Sequence, residues 1–490
     1  MRSFALVDDQ LVEDTLFLRR GLGMPRMRCM EPLVRSAEAL GSVLRDRTGQ
    51  WRMWYAWNVA RDPAEAMAPY DTLECLALSK DGLNWEFPKL GIVQEGGSRD
   101  NNIVMGPRQR DHAGRYLTGY RGPSGLCVVD AETHPHPAAR GRFTAMYCAF
   151  PMDRIGGICM THSDDGINWT AYPENPVIIG SQDTQNCFFW DPRLDRYVCY
   201  QRPTIYCGVD RHANRRIARL DSEDLVHWGL SRMVLDTDER DAPAFDAFDE
   251  PGMRGARGRN KQFQGISPFP YNDTYLAFTW FYDVRQGVFS NELIHSDDGF
   301  HWKREALREP FIAEGRPEGF HGKLIVPIGS PPVLVADELY MYTTATPFGH
   351  HEMGRPEYAR DIAYRKAVLD SYDMYLLSIQ RDRFVGYEAG EHEAEFLSTP
   401  IHWEGGGRFY LNIKVDAGGY MKVAFEDQWA RPMPECHLDE IPPISGAVDA
   451  VDYHLTFGPG PKTVVKFPVP GPFRIRLRMK KATVYGWAVE

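Results

Sequence analysis

Five short polar segments recur along the chain, each opening into an apolar run: MRCMEPLV (27–34), SRDNNIVM (98–105), SQDTQNCFFW (181–190), KQFQGISPF (261–269) and EGFHGKLIVPIGSPPV (318–333). They set an acid or an amide at corresponding places, Glu31, Asp100, Asp183, Gln262 and Glu318, in steps of 69, 83, 79 and 56 residues. Asn101 and Gln185 lie inside two of these segments, and Arg28, Arg99, Arg202 and His321 lie in or near them. Carboxyls that converge from such segments acquire unequal proton affinities, because like charge and partial burial push their pKa values apart; such a pair can give and take a proton. Arginine forks bind carboxylate or phosphate in bidentate geometry. If the segments converge, the expected ligand is anionic and carries a carboxylate or a phosphate. The alternative for any single arginine is a structural bridge between neighbouring elements. His350 and His351, adjacent in a strand-like segment, point to opposite sides and share no metal. No metal and no cofactor is expected.

Convergence requires a repeated unit, and the chain has one. Four turns read alike: SKDGLNW (79–85), HSDDGINW (162–169), DSEDLVHW (221–228) and HSDDGFHW (295–302), with a worn fifth copy at SIQRDRF (378–384). Each follows a β-like run, so the motif caps a hairpin: Ser and Asp bond backbone N–H groups across the turn, Gly takes positive φ, and Trp packs back between layers. Upstream of each turn lies an aromatic-punctuated strand, WRMWYAW (51–57), FTAMYCAF (143–150), RYVCYQR (196–202), TYLAFTWFY (274–282) and ELYMYTTA (338–345). Polar-tipped strand, aromatic strand, third strand and turn, repeated five times, predict a five-bladed β-propeller over residues 1–387. The competing architecture is one large β-sandwich or two. Few windows hold the i, i+3, i+4 apolar pattern, so little helix is expected.

From 388 to 490 the turn motif is absent and Gly-rich turns separate strands. A small antiparallel β-sandwich is expected there, with Phe473, Ile475 and Leu477 alternating onto one face and the terminal pair KTVVKFPV and FRIRLRMKKATVYGWAVE completing it.

The 490 residues are 43% hydrophobic, enough for real cores, and the net charge of −11 is interspersed without long like-charge runs. Nucleic-acid and membrane partners are excluded on that ground. Asp8, Asp9, Glu13 and Asp14 stand where a signal peptide needs an apolar core, so a cytoplasmic location is expected. Nine scattered cysteines without a CxxC pair read as reduced core thiols. GGSRDNN and EGGGRF are glycine-rich, but neither has the spacing of a phosphate-binding or dinucleotide-binding loop; both read as hairpin turns.

The stretches GSVLRDRTGQWRMWY (41–55), LALSKDGLNWEFPKLGIVQEGGSRDNNIV (76–104), RRIARLDSEDLVHW (215–228) and LSTPIHWEGGGRFYLNIKVDAGG (397–419) resemble the five-bladed β-propeller glycoside hydrolases, the group that includes families 32 and 43. The resemblance is closer to bacterial family-32-like proteins, in which a β-sandwich follows the propeller. It implies three carboxylates on the innermost strands of the first three blades, which by position are Glu31, Asp100 in the Arg99-Asp100 pair, and Asp183. It further implies Asp183 as general acid, Glu31 as base or nucleophile, and Asp100 as the group that binds sugar hydroxyls and tunes the acid. Glu31 and Asp183 depart in residue type from the family pattern. Arg28, Arg99, Asn101, Gln185, Arg202, Gln262, Glu318 and His321 are the expected substrate-binding residues, for a small carbohydrate or sugar-like molecule that the arginines mark as anionic: a uronic acid, a sugar acid or a phosphorylated sugar, or a sugar attacked by inorganic phosphate. A glycosidic-bond-cleaving enzyme is the first expectation. A phosphorylase, lyase or cyclase in the same funnel, acting on a sugar-like or natural-product substrate, is the second; a carbohydrate-binding propeller without catalysis is the third.

Overall fold

In the computed structural model, residues 2–7, 9–62, 68–153, 155–180, 185–203, 215–241, 246–247, 257–258, 260–305, 307–403, 407–434, 436–457 and 471–490 are described. The chain is almost entirely β and divides into two compact units: residues 25–333 with 340–378, and residues 1–24 with 334–339 and 379–490.

The larger unit is built on five antiparallel sheets of the same pattern. Blade 1 runs outward through Glu38–Arg45, Trp51–Ala60, Tyr70–Ser79 and Trp85–Glu86. Blade 2 is Ser124–Asp130, Phe143–Ala149, Gly157–Ser163 and Thr170–Ala171; blade 3 is Cys187–Asp191, Arg196–Gln201, Ile217–Ser222 and Arg232–Leu235. Blade 4 is Lys261–Tyr271, Thr274–Asp283, Leu293–Ser296 and Lys303–Arg304. Blade 5 takes Leu324–Pro327, Glu338–Thr346 and Asp373–Gln380 from late in the chain and its outermost strand, Arg26–Met27, from the beginning, with Met27 opposite Leu377. Five blades closed by an early strand form the expected propeller. Its two short helices, Pro356–Arg360 and Ile362–Leu369, lie between the second and third strands of blade 5.

Small hydroxyl and thiol side chains join each innermost strand to the next. Ser42 Oγ donates to Leu126 O at 3.1 Å and accepts from Val128 N at 2.9 Å. Cys127 Sγ meets Phe188 O at 3.9 Å, Cys187 Sγ meets Ile266 O at 3.5 Å, and Ser267 Oγ donates to Pro327 O at 3.2 Å. Ser330 Oγ accepts from Val43 N at 2.9 Å and donates to Val43 O at 3.2 Å, so every seam of the ring carries a polar stitch. These groups satisfy backbone that strand pairing leaves over where the strands crowd together.

The repeated turns fasten blades from outside. In the first, Ser79 Oγ accepts from Gly82 N at 2.9 Å, while Asp81 Oδ1 accepts from Leu83 N and Asn84 N, both at 2.8 Å. Ser163 with Asp165, Ser222 with Asp224, and Ser296 with Asp298 repeat the pattern. The carbonyl at the turn's apex then accepts from an aromatic residue of the preceding blade: Tyr342 OH to Gly82 O at 2.7 Å, Trp54 Nε1 to Gly166 O at 2.9 Å, and Tyr200 OH to Gly299 O at 2.8 Å.

The smaller unit is one antiparallel network of ten strands. Its two 19-residue strands, Phe409–Asp427 and Gly471–Val489, pair from Phe409 opposite Val489 to Asp427 opposite Phe473. Phe473, Ile475, Leu477 and Met479 are fully buried, and Arg476 between them pairs with Glu395 and Glu426, which gives the expected alternation. Arg2–Ala5, Val12–Leu16 and Leu18–Leu22 pair within this network, whereas the sequence pattern assigns residues 1–387 to the propeller; the alternation in these short strands carries no signal of which sheet they join. KTVVKFPV lies outside the described residues. The eight described cysteines are free thiols, seven of them buried and Cys29 half-buried. Among the described residues no helix is long and apolar enough to cross a membrane.

Candidate active site

At one end of the ring the innermost strands of four blades line a cavity of about 200 Å³. Glu38 and Leu40 enter it from blade 1, Ser124 from blade 2, Gln264 from blade 4, and Leu324 and Val326 from blade 5. Behind the first strand of blade 1, Asn58, Tyr70 and Thr72 extend the wall, joined by Arg121 from the connection into blade 2.

A chain of hydrogen bonds sets Glu38. Thr72 Oγ1 donates to Asn58 Oδ1 at 2.9 Å, which turns the other end of the amide, Nδ2, toward Glu38 Oε2 at 2.6 Å. Oε2 is thereby an acceptor, and a proton on this carboxyl resides on Oε1. Burial pushes the Glu38 pKa up to about 7, against the opposing pull of the Asn58 amide. Glu74 lies two residues beyond Thr72 on the same face of the third strand and is fully buried. Neither of its oxygens has a hydrogen-bond partner of normal geometry, and the Leu126 N–H is the one donor that acts on it. Burial raises its pKa well above the carboxylate range, and the Glu38 charge adds to the rise. Blade 1 therefore holds two carboxyls that resist ionisation, one facing the cavity and one sealed behind it.

Arg121 stacks on the Tyr70 ring with its guanidinium carbon 4.6 Å from the centroid. Burial raises the Tyr70 phenol, and Arg121 pulls the other way. Trp280, Phe289 and His350 form the opposite wall, where the His350 ring stacks on Phe289 at 5.6 Å and its Nδ1 lies 3.3 Å from Tyr282 OH. His350 and His351 occupy a 3-10 turn, His350–Gly354, and not the expected strand; His351 Nε2 meets Val284 O. Among the described residues no group of three or more His, Cys, Asp or Glu is placed to hold a metal.

Several amides near the inner strands are buried without partners. Gln185, 2% exposed, has neither Nε2 nor Oε1 bonded, and Gln264 Oε1 is likewise unpaired. Gln185 lies between two glycines of other blades: a Cβ on Gly329 would stand 2.4 Å from its Nε2, and one on Gly125 would stand 3.2 Å from its Oε1. Gln264 lines the cavity, and a buried polar atom left uncommitted there is one a polar ligand or water satisfies.

The sequence-derived site divides accordingly. Gln185, Arg202 and Gln262 are buried; Gln262 Oε1 accepts from Arg215 Nη1 at 2.9 Å. Glu31 and Asp100 do not stand on innermost strands. Glu31 is exposed just after Arg26–Met27 and pairs with Arg35 at 3.1 Å; Asp100 is exposed and pairs with Lys89 at 2.8 Å. The innermost strands of blades 1 and 2 begin at Glu38 and Ser124, and the segment holding Asp100 leads instead to Ile103–Met105, which pairs with the third strand of blade 1. Arg99 Nη1 donates to Gly91 O and Ile92 O, and Asn101 Nδ2 to Val93 O, so both brace that loop. Arg28 lies over Tyr340 at 5.6 Å, His321 meets Glu314 at 2.8 Å on the surface, and Glu318 is exposed. None of these lines the cavity. Asp183 lies outside the described residues. Glu38, Asn58, Thr72, Glu74 and Arg121 escape the sequence pattern; the one signal there is an acid inside a run of small residues, SAEALGSV, that opens a strand.

No family model matches the chain. No curated protein matches it. Among solved structures the chain is similar to a thermostable family-43 glycoside hydrolase, at 11% identity over 75% of this chain and 92% of that one, with a TM-score of 0.44. It is also similar to a β-1,2-mannobiose phosphorylase from Listeria innocua, at 12% identity over 78% and 97% with a TM-score of 0.40. A family-43 arabinoxylan arabinofuranohydrolase from Bacillus subtilis matches at 11% identity over 94% and 97%, with a TM-score of 0.41.

Proposed function

We propose that this protein is a carbohydrate-active enzyme that cleaves a glycosidic bond, with Glu38 as the general acid. The observation that carries the reading is the state of Glu38: a carboxyl on an innermost strand, open to the cavity, held by Asn58 and raised to about 7 by burial. At neutral pH such a group keeps its proton in a large fraction of molecules, and it can give that proton to a leaving oxygen. The cavity is near the volume of a single sugar ring, which suits removal of one residue at a chain end. Gln264, unpaired on the wall, accepts a hydroxyl, and Trp280 and Tyr70 offer apolar faces to a ring.

In the step proposed, the bond between the anomeric carbon and the glycosidic oxygen breaks as Glu38 Oε1 delivers its proton to that oxygen. An oxygen nucleophile then bonds to the anomeric carbon. Hydrolysis requires a second carboxyl to activate water or to attack; Asp183, four residues before the innermost strand of blade 3, is the candidate on sequence grounds. A phosphorylase is the second reading. Glu38 is the one acid among the described residues that lines the cavity, and phosphorolysis needs one acid because phosphate is itself the nucleophile.

Turnover of a panel of neutral and uronic-acid glycosides by the whole protein, with and without phosphate, tests this. Glu38→Gln is expected to lower kcat by about 10²- to 10⁴-fold. Asp183→Asn is expected to abolish hydrolysis and to spare phosphorolysis. Unchanged turnover in Glu38→Gln overturns the reading.

A further inference from the structure

We infer that the cavity takes a ligand carrying an oxyanion, a carboxylate or a phosphate, and that Arg121 is the residue that binds it; this rests on the proposed reading of the same site. Arg121 is the one arginine or lysine among the described residues that lines the cavity. Among the described residues its positive charge has no carboxylate partner, in contrast to the paired arginines elsewhere in the propeller: Arg61 with Asp71 and Glu95, Arg142 with Asp46 and Asp130, and Arg304 with Asp241 and Glu292. The guanidinium lies over the Tyr70 ring and acts on its phenol oxygen, and its five N–H donors outnumber that one contact, which leaves donors for a ligand.

The nearby acids do not answer that charge. Glu38 Oε2 is bonded to Asn58 at 2.6 Å and forms no ion pair with Arg121. Glu74 is sealed behind the wall. A cation and a proton-bearing acid thus share one cavity without neutralising each other, an arrangement an anionic ligand completes: the fork takes the oxyanion while the acid stays protonated for its own task. Two sources supply that chemistry, the carboxylate of a uronic acid and free inorganic phosphate.

Calorimetric titration of the whole protein separates them, using D-glucuronate, inorganic phosphate and, as the neutral ring, D-glucose. Glucuronate or phosphate is expected to bind, and glucose to bind at least about tenfold more weakly than glucuronate if the carboxylate is the source. Arg121→Gln is expected to weaken oxyanion binding by about 10- to 100-fold, and Arg121→Lys to recover part of it. Glucuronate bound without phosphate assigns the uronic acid; phosphate bound, with turnover dependent on it, assigns the nucleophile. If neither oxyanion binds the unsubstituted protein, or if Arg121→Gln binds as well as it does, the inference is overturned. Neutral-glycoside turnover lost in Glu38→Gln alongside absent oxyanion binding leaves the glycosidic reading standing alone. Oxyanion binding that Glu38→Gln preserves, in a protein without turnover, leaves the anion site standing and overturns the glycosidic reading.

Discussion

At the scale of single residues the proposed chemistry turns on one proton. A carboxyl whose folded pKa is about 7, against 4.5 ordinarily, binds its proton more tightly in the folded chain than in the unfolded one. Its contribution to stability is therefore fully present at low pH and is lost as pH rises between about 4.5 and about 7. Glu38→Gln is expected to flatten that part of the dependence of Tm on pH, as thermal melts across pH 4 to 8 would show. Asn58→Leu removes the donor that favours the ionised form, so the alkaline limb of kcat is expected to move above about 7; a limb that stays in place would mean the amide does not act on Glu38. Little of this is legible in the sequence. Glu31 draws attention because arginines surround it, whereas Glu38 sits among alanines and leucines. An acid raised by burial needs apolar company, so the property that suits it to the proposed task also removes its signal from the sequence.

At the scale of elements the repeated turn is what the sequence shows best, because its hydrogen bonds are local and its spacing is short. Gly166 has φ +76°, and a Cβ there would stand 2.7 Å from Trp54 Cζ2. Gly91, at φ +72°, would have nothing within 4 Å. Gly91→Ala therefore carries backbone strain alone, of about 1 kcal/mol. Gly166→Ala adds a clash and threatens the Trp54 bond to its carbonyl, so its loss of stability in urea titrations is expected to exceed that of Gly91→Ala by about 1–3 kcal/mol. Equal losses would show that the aromatic anchor yields freely. The innermost strands are harder to place. In blades 3, 4 and 5 they coincide with the polar-tipped segments, but blades 1 and 2 open on EALGSVLR and SGLCVVD, whose small residues answer crowding at the axis and carry no marker of position.

At the scale of the whole molecule, five blades are countable from five repeats, while the membership of residues 1–24 depends on long-range pairing that local pattern does not encode. Ser330→Ala leaves the buried Val43 N–H without its acceptor at the seam between the last blade and the first, at an expected cost of about 1–3 kcal/mol. If the ring unfolds as one body, the urea midpoint drops with m unchanged; a lowered m would reveal a ring able to open at that seam. The pairing of Met27 with Leu377 spans 350 residues. At about 5–20 residues per second of synthesis, the strand that closes the ring waits for roughly 20–70 s after it is made. Through that interval four blades can form while Arg26–Met27 waits without its partner, and an unpaired strand is what chaperones and other nascent chains encounter first. The ribosome's pace over the 350 residues between the two strands thus sets how long the growing chain remains open to capture.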